Sequence, residues 1–177
     1  MINPQFDLAW PFSEGLAAAK VGSKCGYVDK VGKYVINPQF DSMMPFSEGL
    51  VAVLLGGRFG YIDKAGKYVI NPQFDFAWPF SEGLARVKVG SKWGYVDKAG
   101  KYVINPQFDG DGAEPFSEGL AAVNVGGRWG YVDKAGKYVI NPQFDGAEPF
   151  SEGLAKVNVG GRQGLIDNTG RYVWNPQ

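Results

Sequence analysis

The sequence contains no histidine and only one cysteine, Cys25. Histidine is the commonest general base and transition-metal ligand in proteins, so Ser-His-Asp catalysis, Cys-His catalysis and His-containing zinc sites are excluded. A single cysteine cannot form an intrachain disulfide, and Cys25 is expected to be a small buried side chain rather than a nucleophile. We therefore expect no enzyme activity, no catalytic residues, no cofactor and no metal site.

The chain also lacks an excess of charge of either sign and a long apolar run. Its 18 basic residues balance 18 acidic ones, whereas nucleic-acid binding requires a basic surface that displaces counterions. No apolar stretch approaches the length that spans a bilayer, and the start of the chain has neither the charged nor the apolar region of a signal peptide. These patterns predict no nucleic-acid partner, no membrane insertion and, by default, a cytoplasmic location.

A helical hydrophobic period is missing as well, since 26 glycines and 11 prolines interrupt the sequence. Present instead is a block, Ile-Asn-Pro-Gln-Phe-Asp, that starts at Ile2 and returns at Ile36, Ile70, Ile104 and Ile140. Its asparagines, with that of a truncated last copy, are 34, 34, 34, 36 and 34 residues apart. A fixed period of this length is typical of repeat architectures. The chain is predicted to be one repeat domain, 1–177, with units near 2–35, 36–69, 70–103, 104–139 and 140–177.

Within one unit the pattern favours three antiparallel strands. Leu84–Val89 alternates polar and apolar residues, and Gly90-Ser91 resembles a two-residue hairpin loop. Lys92–Asp97 follows, with Gly94 leaving room for a close backbone approach. Tyr102–Asn105 is the third strand, and Pro106 either ends the pairing or places the strand at an edge. The unit is therefore an all-β meander.

The run Trp-Gly-Tyr-Val-Asp-Lys-Ala-Gly-Lys-Tyr-Val-Ile at 93–104, with the Asn-Pro-Gln-Phe and Pro-Phe-Ser-Glu-Gly-Leu-Ala segments, resembles the WG (or KWG) repeats of bacteria. The resemblance covers essentially the whole chain. It implies a β-rich scaffold without established catalytic residues. The Trp-Gly pair is intact at Trp93 and Trp129 and altered at Cys25, Phe59 and Gln163.

Two architectures fit this repeat. A closed five-bladed propeller-like ring is favoured, because residues 2–11 begin in mid-repeat and complete the last unit in that arrangement. In an open β-solenoid the end units are atypical, as Gln163 and Leu165 are in the last copy.

Acidic residues are numerous enough to suggest paired catalytic carboxylates, but the repeat accounts for most of them. Fifteen of the 18 occupy three repeat positions, where a structural role at turns or with lysines is favoured. They are Asp7, Asp41, Asp75, Asp109 and Asp145; Glu14, Glu48, Glu82, Glu118 and Glu152; and Asp29, Asp63, Asp97, Asp133 and Asp167. A single active site needs an asymmetric set of residues, so fivefold repetition argues against one.

Residues that differ between copies are the better candidates for binding, because loops on a rigid scaffold usually carry function. They lie just before each Pro-Phe-Ser-Glu-Gly segment, with an insertion in the fourth copy. Exposed apolar residues there would mark a partner site, although packing of these side chains beneath the next unit is slightly favoured. The candidate binding residues are Trp10, Met43, Met44, Trp78, Asp111, Glu114 and Glu148.

The aromatic residues of the second strand are expected to form the core instead. They alternate along the strand and adjoin glycine, which favours packing over stacking on sugars. The predicted core aromatics are Trp93, Trp129, Phe59, Tyr27, Tyr61, Tyr95 and Tyr131.

Three functional hypotheses follow. The favoured one is a non-catalytic repeat scaffold whose variable loops bind a protein or a cell-surface partner. The second is a carbohydrate-binding module that stacks polysaccharide on exposed aromatics. The third is a designed or recently duplicated symmetric protein without a native ligand, which the near-identity of the copies suits.

Overall fold

A computed structural model describes residues 6–110 and 112–175. Over these residues the chain forms nineteen β-strands in five antiparallel sheets and no helix. The all-β repeat fold expected from the sequence is confirmed. We number the repeats by sheet: residues 8–40, 42–74, 76–109, 113–144 and 146–174.

The chain divides into two compact units, of which the first comprises residues 1–80 and 98–100. Its two complete sheets each pair four strands in chain order. The strands of this unit are β1 (Leu8–Ser13), β2 (Leu16–Val21), β3 (Lys24–Val28), β4 (Tyr34–Phe40), β5 (Ser42–Met43), β6 (Leu50–Leu55), β7 (Arg58–Asp63), β8 (Tyr68–Phe74) and β9 (Phe76–Ala77).

The second compact unit comprises residues 81–97 and 101–177. Its strands also pair with their neighbours in the chain. They are β10 (Leu84–Val89), β11 (Lys92–Asp97), β12 (Tyr102–Asp109), β13 (Leu120–Val125), β14 (Arg128–Asp133), β15 (Tyr138–Phe144), β16 (Gly146–Ala147), β17 (Leu154–Val159), β18 (Arg162–Asp167) and β19 (Tyr172–Trp174).

The hairpin between the first two long strands of a repeat has the turn that its glycines predict. In the second repeat, β6 and β7 pair without a register shift from Leu50↔Asp63 to Leu55↔Arg58. Gly56 and Gly57 connect them with φ values of 61° and 80°. A primed two-residue turn needs positive φ at both central positions, so the Gly-Gly pairs set the hairpin register.

Proline 106 does not end its strand. β12 continues from Tyr102 through Pro106 to Asp109, and it is the outermost strand of its sheet. Its pairing with β11 shifts register between Trp93 and Tyr95. An edge strand and a bulge both tolerate a missing N–H. Of the two placements that the sequence left open for Pro106, the structure shows the edge.

That bulge explains the glycine of the Trp-Gly pair. A Cβ on Gly94 would lie 2.6 Å from both the Ile104 carbonyl oxygen and the Pro106 nitrogen. The equivalent Gly26, Gly60 and Gly130 meet the same backbone groups at 2.4–2.8 Å. The backbone of the outer strand thus occupies the space of a side chain, and glycine is required there.

Neighbouring repeats are joined by aromatic packing and partly buried hydrogen bonds. Tyr27 of the first repeat packs edge-on against Phe46 of the second, with ring centroids 4.8 Å apart. The Tyr27 hydroxyl donates to the Met44 carbonyl oxygen at 2.6 Å, and the Ser13 hydroxyl donates to the Phe46 carbonyl oxygen at 2.7 Å. The same contacts recur at Tyr61 and Phe80, Tyr95 and Phe116, and Tyr131 and Phe150.

We call the contact between two neighbouring repeats a joint. A glutamate with an unfavourable backbone conformation contributes to each joint. Glu14 has φ 52°, which costs a non-glycine residue free energy. Its carboxylate accepts the Gly49 N–H at 3.0 Å and lies 3.1 Å from the Lys64 ammonium of the next repeat. Lys98 with Glu48 and Lys134 with Glu82 repeat this ion pair at 3.1 Å. The strained glutamate therefore serves the contact between repeats.

The closed ring stays a prediction. None of the five sheets closes on itself within the described residues, and residues 8–11 belong to β1, which pairs with β2 of the first sheet. Residues 2–5 of the segment expected to complete the last unit lie outside the described residues.

We expect Gly94→Ala to lower the free energy of unfolding by about 2–3 kcal/mol, because the new methyl group must displace backbone. Urea denaturation measures this change. Gly146→Ala is the matched control, since its Cβ would meet mainly the movable Asn158 side chain. Equal effects of the two substitutions would contradict the backbone explanation.

The joints should weaken in acid. Burial raises the pKa of Glu14, but the hydrogen bonds from Lys64 and Gly49 outweigh this effect and leave the pKa below its ordinary value of 4.5. The pKa of Glu82 is lowered in the same way by Lys134 and Gly119. A depressed folded-state pKa stabilises the protein above the unfolded-state pKa, and this stabilisation is lost as the pH falls through the folded-state value.

We therefore expect the melting temperature to fall below about pH 4.5 and to do so less steeply in Glu14→Gln/Glu82→Gln. Because these pairs are partly exposed, the screened contribution is about 0.5–1 kcal/mol each at low salt. Calorimetry across this pH range checks the expectation. Parallel pH profiles for the two proteins would show that the carboxylates do not stabilise the joints.

Candidate binding site

An apolar cavity of about 450 Å³ lies in the first compact unit and contains three of the predicted binding residues. The lining comes from β1, β2 and β3 of the first repeat and from β5 and the segment after it in the second repeat. The lining residues are Trp10, Pro11, Phe12, Ser13, Leu16, Ala18, Tyr27, Met43, Met44, Pro45 and Phe46. The structure thus brings Trp10, Met43 and Met44 together from two repeats.

The cavity is lined by both buried and exposed side chains. Tyr27 and Phe46 are buried and pack against each other, whereas Trp10 is 45% exposed and Phe12 is 52% exposed. Met43 and Met44 are half-buried beside this cluster. Methionine side chains are flexible and polarisable, so they adapt to ligands of different shape. An apolar side chain of a ligand fits a site of this kind.

The polar groups of the cavity are engaged by the protein itself. The Tyr27 hydroxyl and the Ser13 hydroxyl both donate to carbonyl oxygens of the second repeat. Burial raises the pKa of Tyr27 far above its usual range, with the nearby Cys25 adding to the shift. Burial also raises the pKa of Cys25 itself, while Lys20 partly offsets this. The neutral forms of both groups are therefore favoured at neutral pH, and the lining presents a hydrophobic surface.

The other predicted binding residues lie elsewhere. Trp78 is 36% exposed and packs beside Phe76, with ring centroids 5.5 Å apart. In the second compact unit, Glu114 lies 3.5 Å from Arg86 and Glu148 lies 3.7 Å from Lys156. Asp111 is outside the described residues. The seven candidates therefore do not form one site.

The predicted core aromatics are mostly inaccessible. Trp93 is 5% exposed, its indole N–H donates to the Gly110 carbonyl oxygen at 2.5 Å, and Arg86 and Lys88 lie 5.5 and 5.6 Å from its ring centroid. The remaining buried members are Phe59, Tyr27, Tyr61, Tyr95 and Tyr131. None of these rings offers a free face for stacking.

Trp129 differs because it is only half-buried. It borders a shallow hollow of about 330 Å³ together with Asp109, Gly110, Gly112, Asn124 and Gly127. Lys92 hydrogen-bonds to Asp109 and holds the pKa of that carboxyl below its ordinary value, helped by the Gly126 N–H. The hollow combines an aromatic ring, an amide and an ionised carboxylate.

The three repeated acidic positions serve turns and joints. Asp63 accepts the N–H groups of Ala65 and Lys67 at 2.9 Å. Asp41 accepts the Gly56 N–H at 2.9 Å and binds Lys24, which lowers the pKa of its carboxyl. Among residues 6–110 and 112–175, no group of three or more Cys, Asp or Glu side chains could hold a metal ion, and no helix is long and apolar enough to cross a membrane.

The sequence did not identify the cavity residues that occupy repeated aromatic positions. Phe12, Tyr27 and Phe46 occupy positions that are aromatic in nearly every copy, so nothing in the sequence distinguished them. Only the juxtaposition of two repeats turns them into walls of one cavity.

Comparisons with known proteins agree with the repeat. The family model described as "WG containing repeat" matches residues 1–25, 26–59, 59–93, 93–129 and 129–162. Among curated proteins, none matches this sequence.

Solved structures with propeller-like folds are similar to the chain. Kluyveromyces lactis Hsv2 is 12% identical with a TM-score of 0.57, and the alignment covers 92% of this chain and 61% of Hsv2. A eukaryotic initiation factor is 13% identical with a TM-score of 0.59, covering 93% and 52%. PorZ of Porphyromonas gingivalis, described as a bacterial surface component of the type-IX secretion system, is 11% identical with a TM-score of 0.55, covering 97% and 27%. At these identities the likeness shows the fold alone, and the chain spans less than two thirds of each of these structures.

We expect Trp93→Ala to destabilise the protein by about 3–5 kcal/mol, because it removes a buried ring and leaves a cavity. Thermal denaturation measures the loss. Trp10→Ala is the control, since its partly exposed ring contributes less to packing. An unchanged melting temperature for Trp93→Ala would contradict its place in the core.

Proposed function

Since the chain belongs to the WG-containing repeat family, we propose that it is a non-catalytic scaffold that binds a protein partner through the cavity at Trp10, Met43 and Met44. The observation that carries the proposal is the apolar cavity itself, because a pocket of several hundred Å³ lined by aromatic and methionine side chains is a typical ligand site. The partner's contribution is an apolar anchor such as Leu, Met or Phe.

The variation between repeats supports this proposal. The residue before Pro-Phe-Ser is Trp10, Met44 or Trp78 in the first three repeats and Glu114 or Glu148 in the last two. The backbone contact at this position is the same in both cases, since Tyr27 donates to the Met44 carbonyl oxygen as Tyr131 donates to that of Glu148. The side chain is therefore free to vary without loss of the joint, and its chemistry can specify a partner.

Selection of a random-peptide phage library on the protein tests the proposal. We expect peptides with a large apolar anchor to be enriched and to bind with at least about tenfold lower affinity to Met44→Glu. Glutamate occupies this position naturally in two repeats, so the variant should fold. Glu148→Met is the matched control and should leave binding unchanged. Enriched peptides that bind Met44→Glu equally well would place binding elsewhere, and failure to enrich any peptide would favour a protein without such a ligand.

Carbohydrate binding is the second candidate function, and the hollow beside Trp129 favours it. Aromatic stacking combined with amide and carboxylate hydrogen bonds is suited to a sugar ring. Titration with a panel of neutral polysaccharides should then quench tryptophan fluorescence in the wild-type protein and not in Trp129→Phe/Asn124→Ala. Quenching that survives both substitutions, or no quenching, would count against this site.

A further inference from the structure

Each joint between repeats has two different faces. We call the trailing face the side that carries the Tyr, Ser and Glu side chains, and the leading face the side of the next repeat that carries the Phe, the Gly N–H and the Lys. In the fifth repeat Leu165 replaces the Tyr and Asn168 replaces the Lys. Tyr95 and Ser81 of the third repeat, for example, contact Phe116 of the fourth. Every repeat therefore has one leading face and one trailing face.

The first repeat exposes its leading face. Phe12 is 52% exposed, whereas the equivalent Phe46, Phe80, Phe116 and Phe150 are 1–3% exposed. Leu8 and Trp10 of the same strand are 56% and 45% exposed. Among the described residues Lys30 forms no ion pair, although the equivalent Lys64 binds Glu14. An apolar edge of this kind is unusual for a surface that only faces water.

The fifth repeat exposes its trailing face. Ser151 and Glu152 are exposed, and within the described chain they lack the carbonyl, amide and lysine partners that Ser117 and Glu82 have. Trp174 is 50% exposed at the position where Ile36, Ile70, Ile104 and Ile140 are 3–4% exposed. The groups on this face complement those on the leading face of the first repeat.

We propose that the leading face of the first repeat docks onto the trailing face of the fifth repeat in a second copy of this chain. By analogy with the internal joints, Phe12 packs against Leu165 and its carbonyl oxygen accepts from the Ser151 hydroxyl. Glu152 accepts the Gly15 N–H and pairs with Lys30. A joint of two unlike faces is heterologous, so it builds a head-to-tail chain or a ring of copies.

This contact is weaker than the internal joints. Leu165 stands where the other repeats have tyrosine, so the hydroxyl that reaches the next repeat's carbonyl is missing. Gln163 replaces the residue whose indole in the third repeat donates to Gly110. Assembly is therefore reversible and depends on concentration. The contact shares Phe12 with the cavity, but Lys30 and Glu152 do not line the cavity, so substitutions at these two residues test the contact separately from ligand binding.

Sedimentation velocity of the full chain over a wide concentration range tests the proposal. We expect the mass to rise above the 19.2 kDa of one copy as concentration increases. Phe12→Asp should weaken self-association by at least about tenfold. Val103→Asp is the control, because Val103 is an exposed strand residue outside both faces.

A charge exchange separates a second copy from closure within one copy. Lys30→Glu and Glu152→Lys each place like charges at the joint and should each weaken assembly about tenfold. When the two variants are mixed and alternate along the assembly, every joint again pairs opposite charges, so mixing should restore the assembly. The proposal would be overturned if the chain stays monomeric at all concentrations, or if association does not recover when the variants are mixed. Closure within one copy is a further outcome that would overturn it. In that case the protein is a monomer, and the Lys30→Glu/Glu152→Lys double variant regains the thermal stability that each single variant loses.

Discussion

Each described joint pairs a buried tyrosine with the phenylalanine of the repeat that follows, and the rest of the structure depends on that contact. An isolated meander of three or four short strands has one face without a partner and is marginally stable in water. Tyr61 is fully buried, Phe80 packs on its ring, and its hydroxyl donates a hydrogen bond to the Trp78 carbonyl oxygen. Burial of this aromatic pair and satisfaction of the hydroxyl at the same place make each joint both stabilising and specific.

The same constraint determines which residues vary. Groups that form the joint through side chains recur in nearly every copy, as the serine and glutamate of the Pro-Phe-Ser-Glu-Gly segment do. The residue before that proline contributes its carbonyl oxygen to the joint, so its side chain can be Trp, Met or Glu. Evolution or duplication can therefore change the surface at Met44 or Glu148 while the scaffold remains intact. The proposed binding cavity and the hollow at Trp129 both lie where the copies differ.

The outer strand shows how local chemistry and packing combine. Pro106 removes a ladder donor, its strand lies at the edge of the sheet, and the bulge beside it brings the strand's backbone against Gly94. The strained conformation of Glu14 is the opposite case, because propensity disfavours it and only the contact with Gly49 and Lys64 explains it. The sequence indicates a close approach at Gly94 and gives the edge as one of two placements for Pro106, but it gives no sign of the strained glutamate.

The period of the repeat, the three strands of each unit and the glycine turns follow from the sequence, since they depend on residues close together in the chain. Gly56-Gly57 requires a primed turn, and the alternation in Leu84–Val89 requires a half-buried strand. The grouping of Trp10 with Met43 and Met44, and the exposure of Phe12 while Phe46 is buried, were decided by the tertiary structure. The physical reason is that identical residues acquire different surroundings according to which repeats flank them, and that information lies in the assembled array rather than in any one copy.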